Sequence, residues 1–175
     1  MGDRQQRLQA FFGLFVGLLE QILGVLGSKI WLRFLTSHPK DLSDALVALI
    51  GTHGAQDAGP GLCRHIHLPV QHGSDRVLAA MGRGYTAGQY RDLVQRIRNS
   101  VPGVSLTTDI LIGFPGESEQ DFRLTLELVR DVEFDEAFTY RYNPREGTRA
   151  FALADDVPEE RKLRRLDELI GLQRA

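Results

Sequence analysis

Apolar and polar positions follow two different periods along this chain, and the period changes at polar or glycine-containing breaks. Short runs of large and β-branched residues, which are typical of strands, occupy residues 30–35, 65–70, 104–112 and 134–142. Apolar residues at helical spacing occupy residues 8–27, about 43–50, 74–81, 86–98, 118–132 and 158–172. This order predicts an α/β protein of about four βα units with parallel strands, either half of an eight-unit barrel or a small open sheet.

The first helix is apolar enough to raise the question of a membrane segment. Phe11 to Leu26 resembles one in its content of large apolar residues, but Glu20 and Gln21 interrupt it and glycines dilute it. A broad apolar face at helical spacing is formed by Leu14, Leu18, Leu19, Ile22, Leu23 and Leu26. The pattern favours a buried amphipathic helix, with a membrane helix as the alternative.

Composition is that of a soluble globular protein. The 175 residues are 42% hydrophobic and 25% charged, with a net charge of −2, and one domain with a real core is expected. The charge balance does not by itself indicate a nucleic-acid partner, although a local basic face is compatible with it. Cys63 is the single cysteine, so no intramolecular disulfide or cysteine cluster is possible, and the expected location is cytoplasmic.

Candidate chemistry lies in the loops that follow the strands, because ligands of parallel βα folds bind beyond the C-terminal strand ends. These loops are residues 36–40, 71–75, 113–117 and 143–148. Ser37, His38 and Asp41 suggest a hydrolase, but no G-x-S-x-G nucleophile elbow surrounds either nearby serine. The loops are therefore rich in hydrogen-bonding groups and poor in activated nucleophiles.

Three histidines resemble a metal cluster. His65 and His67 share one face of a strand, and His72 follows in the next loop. No carboxylate or cysteine stands at ligand spacing, so packed or water-bonded histidines are favoured over a metal site.

The turn Gly113-Phe114-Pro115-Gly116 leads from a strand into a helix. Glycine permits both a sharp turn and close backbone approach to a ligand. A plain connecting turn, with Glu117 stabilised by the helix dipole, is the interpretation that this motif alone favours. Arg145 and Glu146 could contact an anion, but a solvated surface pair is the default.

Four segments in order resemble the second half of the radical S-adenosylmethionine domain of methylthiotransferases: TSHPKDLSDAL, HIHLPVQHGSDRVLAAMGRGYT, LTTDILIGFPGESEQDF and FDEAFTYRYNPREGT. The resemblance covers residues 15–175 and leaves residues 1–14 unplaced. Residues 37–41 and 65–70 resemble the branch that methylthiolates C2 of N6-isopentenyladenosine in tRNA. Gln71-His72 and residues 81–83 resemble the sister branch, which modifies an aspartate of a ribosomal protein.

The resemblance implies a partial (β/α) barrel with S-adenosylmethionine at the strand C-termini and tRNA as the partner, with no membrane. It implies that the cofactor is bound by Gln71, Ser74, Arg83, Asp109, Gly113 and Glu117. It implies that the substrate contacts Ser37, His38, Tyr142 and Arg145. The family's 4Fe-4S cluster requires a C-x-x-x-C-x-x-C motif, which this chain does not contain, so no cluster ligands are expected.

Three hypotheses result. The first is a tRNA methylthiotransferase-family protein that is inactive alone because the cluster cysteines are absent. The second is a non-catalytic fragment that binds S-adenosylmethionine or RNA, or that completes a barrel with a separate chain, since a half-barrel would expose unpaired sheet edges. The third is the ribosomal-protein branch.

Overall fold

The structure is a computed structural model that describes residues 2–26, 30–35, 38–54 and 61–175. Its helices are α1 (Gly2–Leu26), α2 (Asp44–His53), α3 (Asp75–Ala80), α4 (Ala87–Ser100), α5 (Glu119–Val132) and α6 (Glu159–Gln173). Its strands are β1 (His65–His67), β2 (Ser105–Ile112) and β3 (Glu136–Arg141). The chain forms two units, Met1–His67 with Val94–Ser105 and Leu68–Leu93 with Leu106–Ala175.

In the first unit, α1 packs against α2. Ser43 is the N-cap of α2, because its hydroxyl accepts a hydrogen bond from the Leu46 N–H at 3.2 Å. Leu19 of α1 is buried, whereas Leu14 is 75% and Leu18 52% exposed. The expectation that α1 buries its whole apolar face is therefore wrong at those positions and at Leu26, which is also exposed.

Among the helices that the structure describes, none combines the length and apolar character needed to cross a membrane.

The strand predicted over residues 30–35 is not a regular strand. Leu32 forms an isolated parallel bridge with Leu62, in which the Leu32 N–H donates to Gly61 O and the Cys63 N–H donates to Leu32 O, both at 2.8 Å. A strand needs a neighbour along its length, and within the described residues this segment has one only at Leu62. The large apolar side chains thus predicted a strand where the structure has a single bridge.

In the second unit β2 has hydrogen-bonded neighbours on both sides. On one side β2 pairs with β3 in the register Thr107 to Glu136 through Ile112 to Arg141. On the other side the Leu68 N–H donates to Thr107 O at 2.7 Å. The prediction of parallel strands is thus confirmed, with three strands in the described part of the chain.

A threonine replaces part of the ladder beyond β1. The prediction extended this strand to Val70, but Pro69 has no N–H to donate and the strand ends at His67. The Thr108 hydroxyl accepts the Val70 N–H at 3.0 Å and donates to Leu68 O at 2.9 Å. The threonine thus supplies the buried Val70 N–H with an acceptor, while Leu68 O also accepts a hydrogen bond from the Tyr90 hydroxyl at 2.7 Å.

The predicted helices of the second unit are confirmed with small shifts of their ends. Ser118 caps α5 in a reciprocal capping box with Asp121, and the buried face of the helix contains Phe122, Leu126 and Val129. Helix α6 packs against both β3 and α5. Because β2 and β3 are parallel and end side by side, the segments that follow them begin at one edge of the sheet, which positions the candidate site.

Candidate functional site

A pocket of about 780 Å³ opens at this edge of the second unit. Its size is within the range of about 300–1,000 Å³ that is usual for small-molecule sites. The lining comes from the segment after β1, the end of α3, the end of β2 and the segment after β3. The lining residues are Gln71, residues 79–83, Leu111, Phe114, residues 140–143, Arg145 and residues 148–150.

Positive charge dominates the pocket. Four of its lining residues are Arg83, Arg141, Arg145 and Arg149, and no aspartate or glutamate is among the described residues that line it. Arg141 forms an ion pair with Glu159 at 2.9 Å, outside the lining. A guanidinium presents several N–H donors in one plane and suits carboxylate and phosphate groups. The pocket therefore favours a ligand that presents carboxylate or phosphate groups.

The floor of the pocket is aromatic. The rings of Phe114 and Tyr142 meet edge to face, with centroids 5.4 Å apart and an interplanar angle of 71°. Both are buried and pack with Val77. The Tyr142 hydroxyl donates to Ala150 O at 3.0 Å, which ties the floor to the segment after β3. A flat ring can pack on such a floor while its charged substituents reach the arginines.

Gly113 begins the turn after β2 and has a φ of 73°, in the left-handed region. A Cβ atom at this position would lie 2.5 Å from Cγ of Lys162 on α6. The glycine is thus required twice, by the backbone angle and by the close approach of the Lys162 side chain. In this structure the group that approaches Gly113 closely is the side chain of Lys162.

The buried carboxylate of Glu117 fixes this turn through hydrogen bonds to its backbone. Its Oε2 accepts the Gly113 N–H at 2.5 Å and the Phe114 N–H at 3.1 Å. Its Oε1 accepts a hydrogen bond from Nη1 of Arg165 at 2.9 Å, and both side chains are fully buried. A hydrogen bond from Arg165 also lowers the pKa of Glu119, although desolvation opposes it.

His72 is the third member of this buried group. Its Nδ1 accepts the Ser74 N–H at 3.0 Å, and its Nε2 lies 3.4 Å from Oε2 of Glu117. The acceptor role of Nδ1 assigns the ring proton to Nε2, which points towards the carboxylate. The part of the chain that the structure describes contains no group of three or more His, Cys, Asp or Glu residues able to hold a metal. His72 itself is fully buried, and both of its ring nitrogens face groups of the protein.

A second buried carboxylate, Asp121, joins the starts of α3 and α5. It accepts a hydrogen bond from the Ser74 hydroxyl at 2.6 Å and also bonds to Arg76 and Ser118. Burial alone would raise the pKa of Asp121, but the hydrogen bonds from Arg76, Ser118 and Ser74 outweigh it and hold the pKa well below its usual range. Asp121 is therefore a charged structural anchor.

Tyr85 supports the segment that carries Gln71. Its hydroxyl donates to Val70 O at 3.0 Å. Burial raises the pKa of Tyr85 to about 12, although the positive charge of Arg83 lowers it. Tyr85 therefore keeps its proton at neutral pH and acts as a donor.

Most of the residues predicted for the site divide into two groups. Gln71, Arg83, Tyr142 and Arg145 line the pocket together. Ser74, Gly113 and Glu117 lie outside the lining, with their bonds directed into the protein.

The three other predicted residues belong to neither group. Asp109 lies on β2 two residues before Leu111 and so on the same sheet face. His38 lies in the first unit, where Nδ1 accepts the Lys40 N–H at 3.2 Å, and Ser37 lies outside the described residues.

Sequence reasoning missed Arg141 and Arg149 in the lining and the buried cations Lys162 and Arg165 behind it. Arg149 lies just beyond the loop taken as residues 143–148. The two cations belong to a helix with many charged residues, and the pattern does not distinguish buried charges from solvated ones.

Comparison with known proteins gives one family. The model of the Radical SAM superfamily matches residues 18–129. A tRNA-2-methylthio-N(6)-dimethylallyladenosine synthase of Treponema pallidum is 56% identical over 143 residues, which are 82% of this chain and 30% of the relative. A protein of the same name from Carboxydothermus hydrogenoformans is 50% identical over 161 residues, 91% of this chain and 35% of the relative. The chain thus spans about a third of the length of these relatives.

One solved structure supports the fold. Coproporphyrinogen III oxidase (HemN) from Escherichia coli, whose description calls it a radical SAM enzyme, matches with a TM-score of 0.68 at 16% identity. The match covers 89% of this chain and 36% of the oxidase. At this identity the likeness shows the fold alone, and it confirms the predicted α/β class with a partial (β/α) barrel.

Replacing Asp121 by asparagine should lower the free energy of unfolding by about 1.5–3 kcal/mol at pH 7, because its hydrogen bonds include a charged partner. The folded-state pKa of Asp121 lies below its ordinary value of 3.8. Its stabilisation is therefore full above that value and is lost as the pH falls through and below it. Urea unfolding followed by circular dichroism between pH 7 and pH 3 should show a flatter acid limb in the Asp121→Asn variant. Asp131→Asn, at the exposed pair with Arg91, is the control, and an equal loss there would contradict the assignment.

Gly113→Ala should destabilise the protein by about 2–4 kcal/mol. The alanine would have a strained left-handed backbone, and its Cβ atom would also clash with Lys162. Gly103→Ala is a matched control, because Gly103 has a φ of 72° but nothing within 4 Å of a Cβ atom. The control should lose only about 1–2 kcal/mol. Equal losses in thermal or urea unfolding would show that the contact with Lys162 contributes nothing.

Proposed function

The chain belongs to the Radical SAM superfamily, and from this premise we propose that it is the part of a tRNA methylthiotransferase that holds S-adenosylmethionine and the target adenosine. The names of the similar proteins support the reaction class. The chain spans about a third of the length of these proteins. The reaction of the whole enzyme is therefore a proposal for this chain. The proposed reaction is methylthiolation at C2 of N6-isopentenyladenosine in tRNA.

The observation that carries the proposal is the pocket that combines an aromatic floor with four arginines and no lining carboxylate. S-adenosylmethionine contains a flat adenine ring at one end and a carboxylate at the other. Its ammonium and sulfonium groups make it a cation overall, so the proposal pairs only the carboxylate with an arginine and leaves the other arginines of the lining for RNA phosphates. In the proposed complex Arg83 binds the carboxylate through charge-assisted hydrogen bonds, and Gln71 bonds the amino-acid end beside it. The adenine packs near Leu111 and Phe114, with Asp109 towards the ribose. Ser74, Gly113 and Glu117 act by fixing the segments that carry these groups.

The end of β3 and the segment after it are proposed as the substrate side. Tyr140 lies opposite Leu111 in the sheet register and is 53% exposed at the pocket. Unstacked RNA bases are commonly bound on aromatic side chains, and arginines bind the flanking phosphates. We assign the first role to the exposed Tyr140 and the second to Arg145 and Arg149. Tyr142 is buried, and its contact with the substrate is proposed only where it lines the pocket. The roles of Ser37 and His38 in substrate binding rest on the family resemblance alone.

The residues of this chain do not fit the family's 4Fe-4S cluster. Thiolate ligation requires several cysteines, and the sequence contains only Cys63. In the superfamily the cluster supplies the electron that cleaves S-adenosylmethionine reductively. We therefore propose that these residues bind cofactor and RNA, and that methylthiolation requires cluster ligands that these residues do not supply. With tRNA as the substrate, the proposed location is the cytoplasm.

The ribosomal-protein branch remains the alternative, and it was suggested by Gln71-His72 and residues 81–83. The side chain of His72 is fully buried and bonds to Ser74 within the protein. It therefore has a structural role at this position and does not discriminate between an RNA and a protein substrate. The similar proteins named above favour tRNA.

Isothermal titration calorimetry of the full chain with S-adenosylmethionine tests cofactor binding. Arg83→Gln should weaken binding by roughly 10- to 100-fold, because it removes a charged hydrogen bond of about 1.5–3 kcal/mol. Arg130→Gln, an exposed arginine on α5, should leave the dissociation constant unchanged. Absence of binding to the unaltered chain would contradict the proposal.

The substrate side is tested with an anticodon stem-loop that contains N6-dimethylallyladenosine. Arg145→Gln and Arg149→Gln should each weaken binding and reduce the slope of log K against log salt by about 1, because each removes a phosphate contact. Fluorescence anisotropy between about 50 and 200 mM salt measures the slope. Slopes equal to that of the unaltered chain, with Arg130→Gln again as control, would exclude these contacts.

A further inference from the structure

Helix α6 has two cationic side chains that are buried. Lys162 is 2% and Arg165 0% exposed. Fully buried lysines and arginines are rare unless they are paired. The two residues are three positions apart and so lie on one face of the helix. That face is directed at the turn after β2 and the end of β3, behind the pocket.

Arg165 reaches the pocket floor through Glu117. Its Nη1 donates to Glu117 Oε1 at 2.9 Å and to Glu117 O at 3.3 Å. The other carboxylate oxygen, Oε2, accepts the N–H groups of Gly113 and Phe114. The arginine therefore fixes the carboxylate, and the carboxylate fixes the backbone that places the Phe114 ring.

Lys162 reaches the same floor from the other side. Its Nζ donates to Asp155 Oδ2 at 2.6 Å and to Tyr142 O at 3.5 Å. The ammonium lies 5.3 Å from the centroid of the Tyr142 ring, within the range of a cation–π contact. The methylenes of the same side chain fill the space left by the absent Cβ of Gly113. Both series of contacts thus end on the Phe114–Tyr142 ring pair.

We infer that Arg165 and Lys162 are positioning residues for the pocket, and that α6 controls ligand affinity without touching the ligand. Neither residue is part of the pocket lining, and α6 lies beyond residues 18–129, which match the superfamily. The identity of the ligand rests on the proposed function, whereas the placement of Phe114 and Tyr142 by α6 does not.

The test uses the full chain labelled with 3-fluorotyrosine, which gives four ¹⁹F resonances because the sequence contains four tyrosines. Tyr142→Phe assigns the resonance of Tyr142. The variants are Lys162→Met, Arg165→Met and the double variant Glu117→Gln/Arg165→Met, which removes both buried charges if the single arginine variant does not fold. Arg164→Met is the matched control, since Arg164 lies on the same helix with its side chain 65% exposed.

In the folded variants the Tyr142 resonance should shift and the dissociation constant for S-adenosylmethionine should rise by about tenfold, with both unchanged in Arg164→Met. Because Arg165 contacts Glu117, a shift of the Tyr142 resonance in an arginine variant shows that the Gly113–Phe114 turn has moved the ring pair. Folded variants with an unchanged Tyr142 resonance and unchanged affinity would overturn the inference. If the arginine variants do not fold, Lys162→Met decides it by the same two readouts.

If the unaltered chain does not bind S-adenosylmethionine, the proposed function fails while the Tyr142 resonance still decides the role of α6. An unchanged resonance in every folded variant would then reject the inference independently. Loss of affinity without a resonance shift would also reject it, because the ring pair would not have moved.

Discussion

A single carboxylate, that of Glu117, is the constraint on which the candidate site depends. It is buried, and a buried charge is costly unless other groups solvate it. Arg165 supplies the opposite charge, and the N–H groups of Gly113 and Phe114 supply hydrogen bonds. Loss of one partner of such a pair leaves an uncompensated charge, which is more damaging than replacement of both. The turn after β2 and α6 are therefore energetically linked, although 48 residues separate the paired side chains in sequence.

Similar side-chain bonds fix the other segments around the pocket. Where Pro69 interrupts the ladder, Thr108 bonds the backbone on both sides of it. Beyond it, the Gly73 N–H donates to the Thr125 hydroxyl at 3.0 Å. Backbone groups that leave a sheet must find new partners, and here buried side chains provide them. The pocket-lining residue Gln71 consequently extends from a segment whose backbone is fixed, which favours a preformed site.

The sequence predicted β2 and α5 well because both are long and strictly periodic and because Ser118 marks the helix start. It failed at residues 30–35, where strand formation depends on a neighbour that no local pattern reports. Within the site, spacing brought Gln71 and Arg145 to the correct edge, since loops after parallel strands share it, whereas Arg83 was predicted only from the family resemblance. Spacing could not tell that Glu117 turns inward, because a turn residue can point to either side. Burial of Arg165 was equally hidden, since it depends on tertiary packing of α6.

The chain contains the groups proposed to bind S-adenosylmethionine, but its single cysteine cannot hold a cluster that would cleave it. Recognition of an adenosine with an attached carboxylate requires an aromatic surface and guanidinium groups, and the second unit contains both at one sheet edge. Reductive cleavage of a sulfonium requires an electron donor, and a cluster held by thiolates needs more than Cys63. Arginine retains its charge throughout the physiological range, so the positive charge of the pocket does not depend on a cluster. Binding measurements on this chain therefore report on the pocket itself.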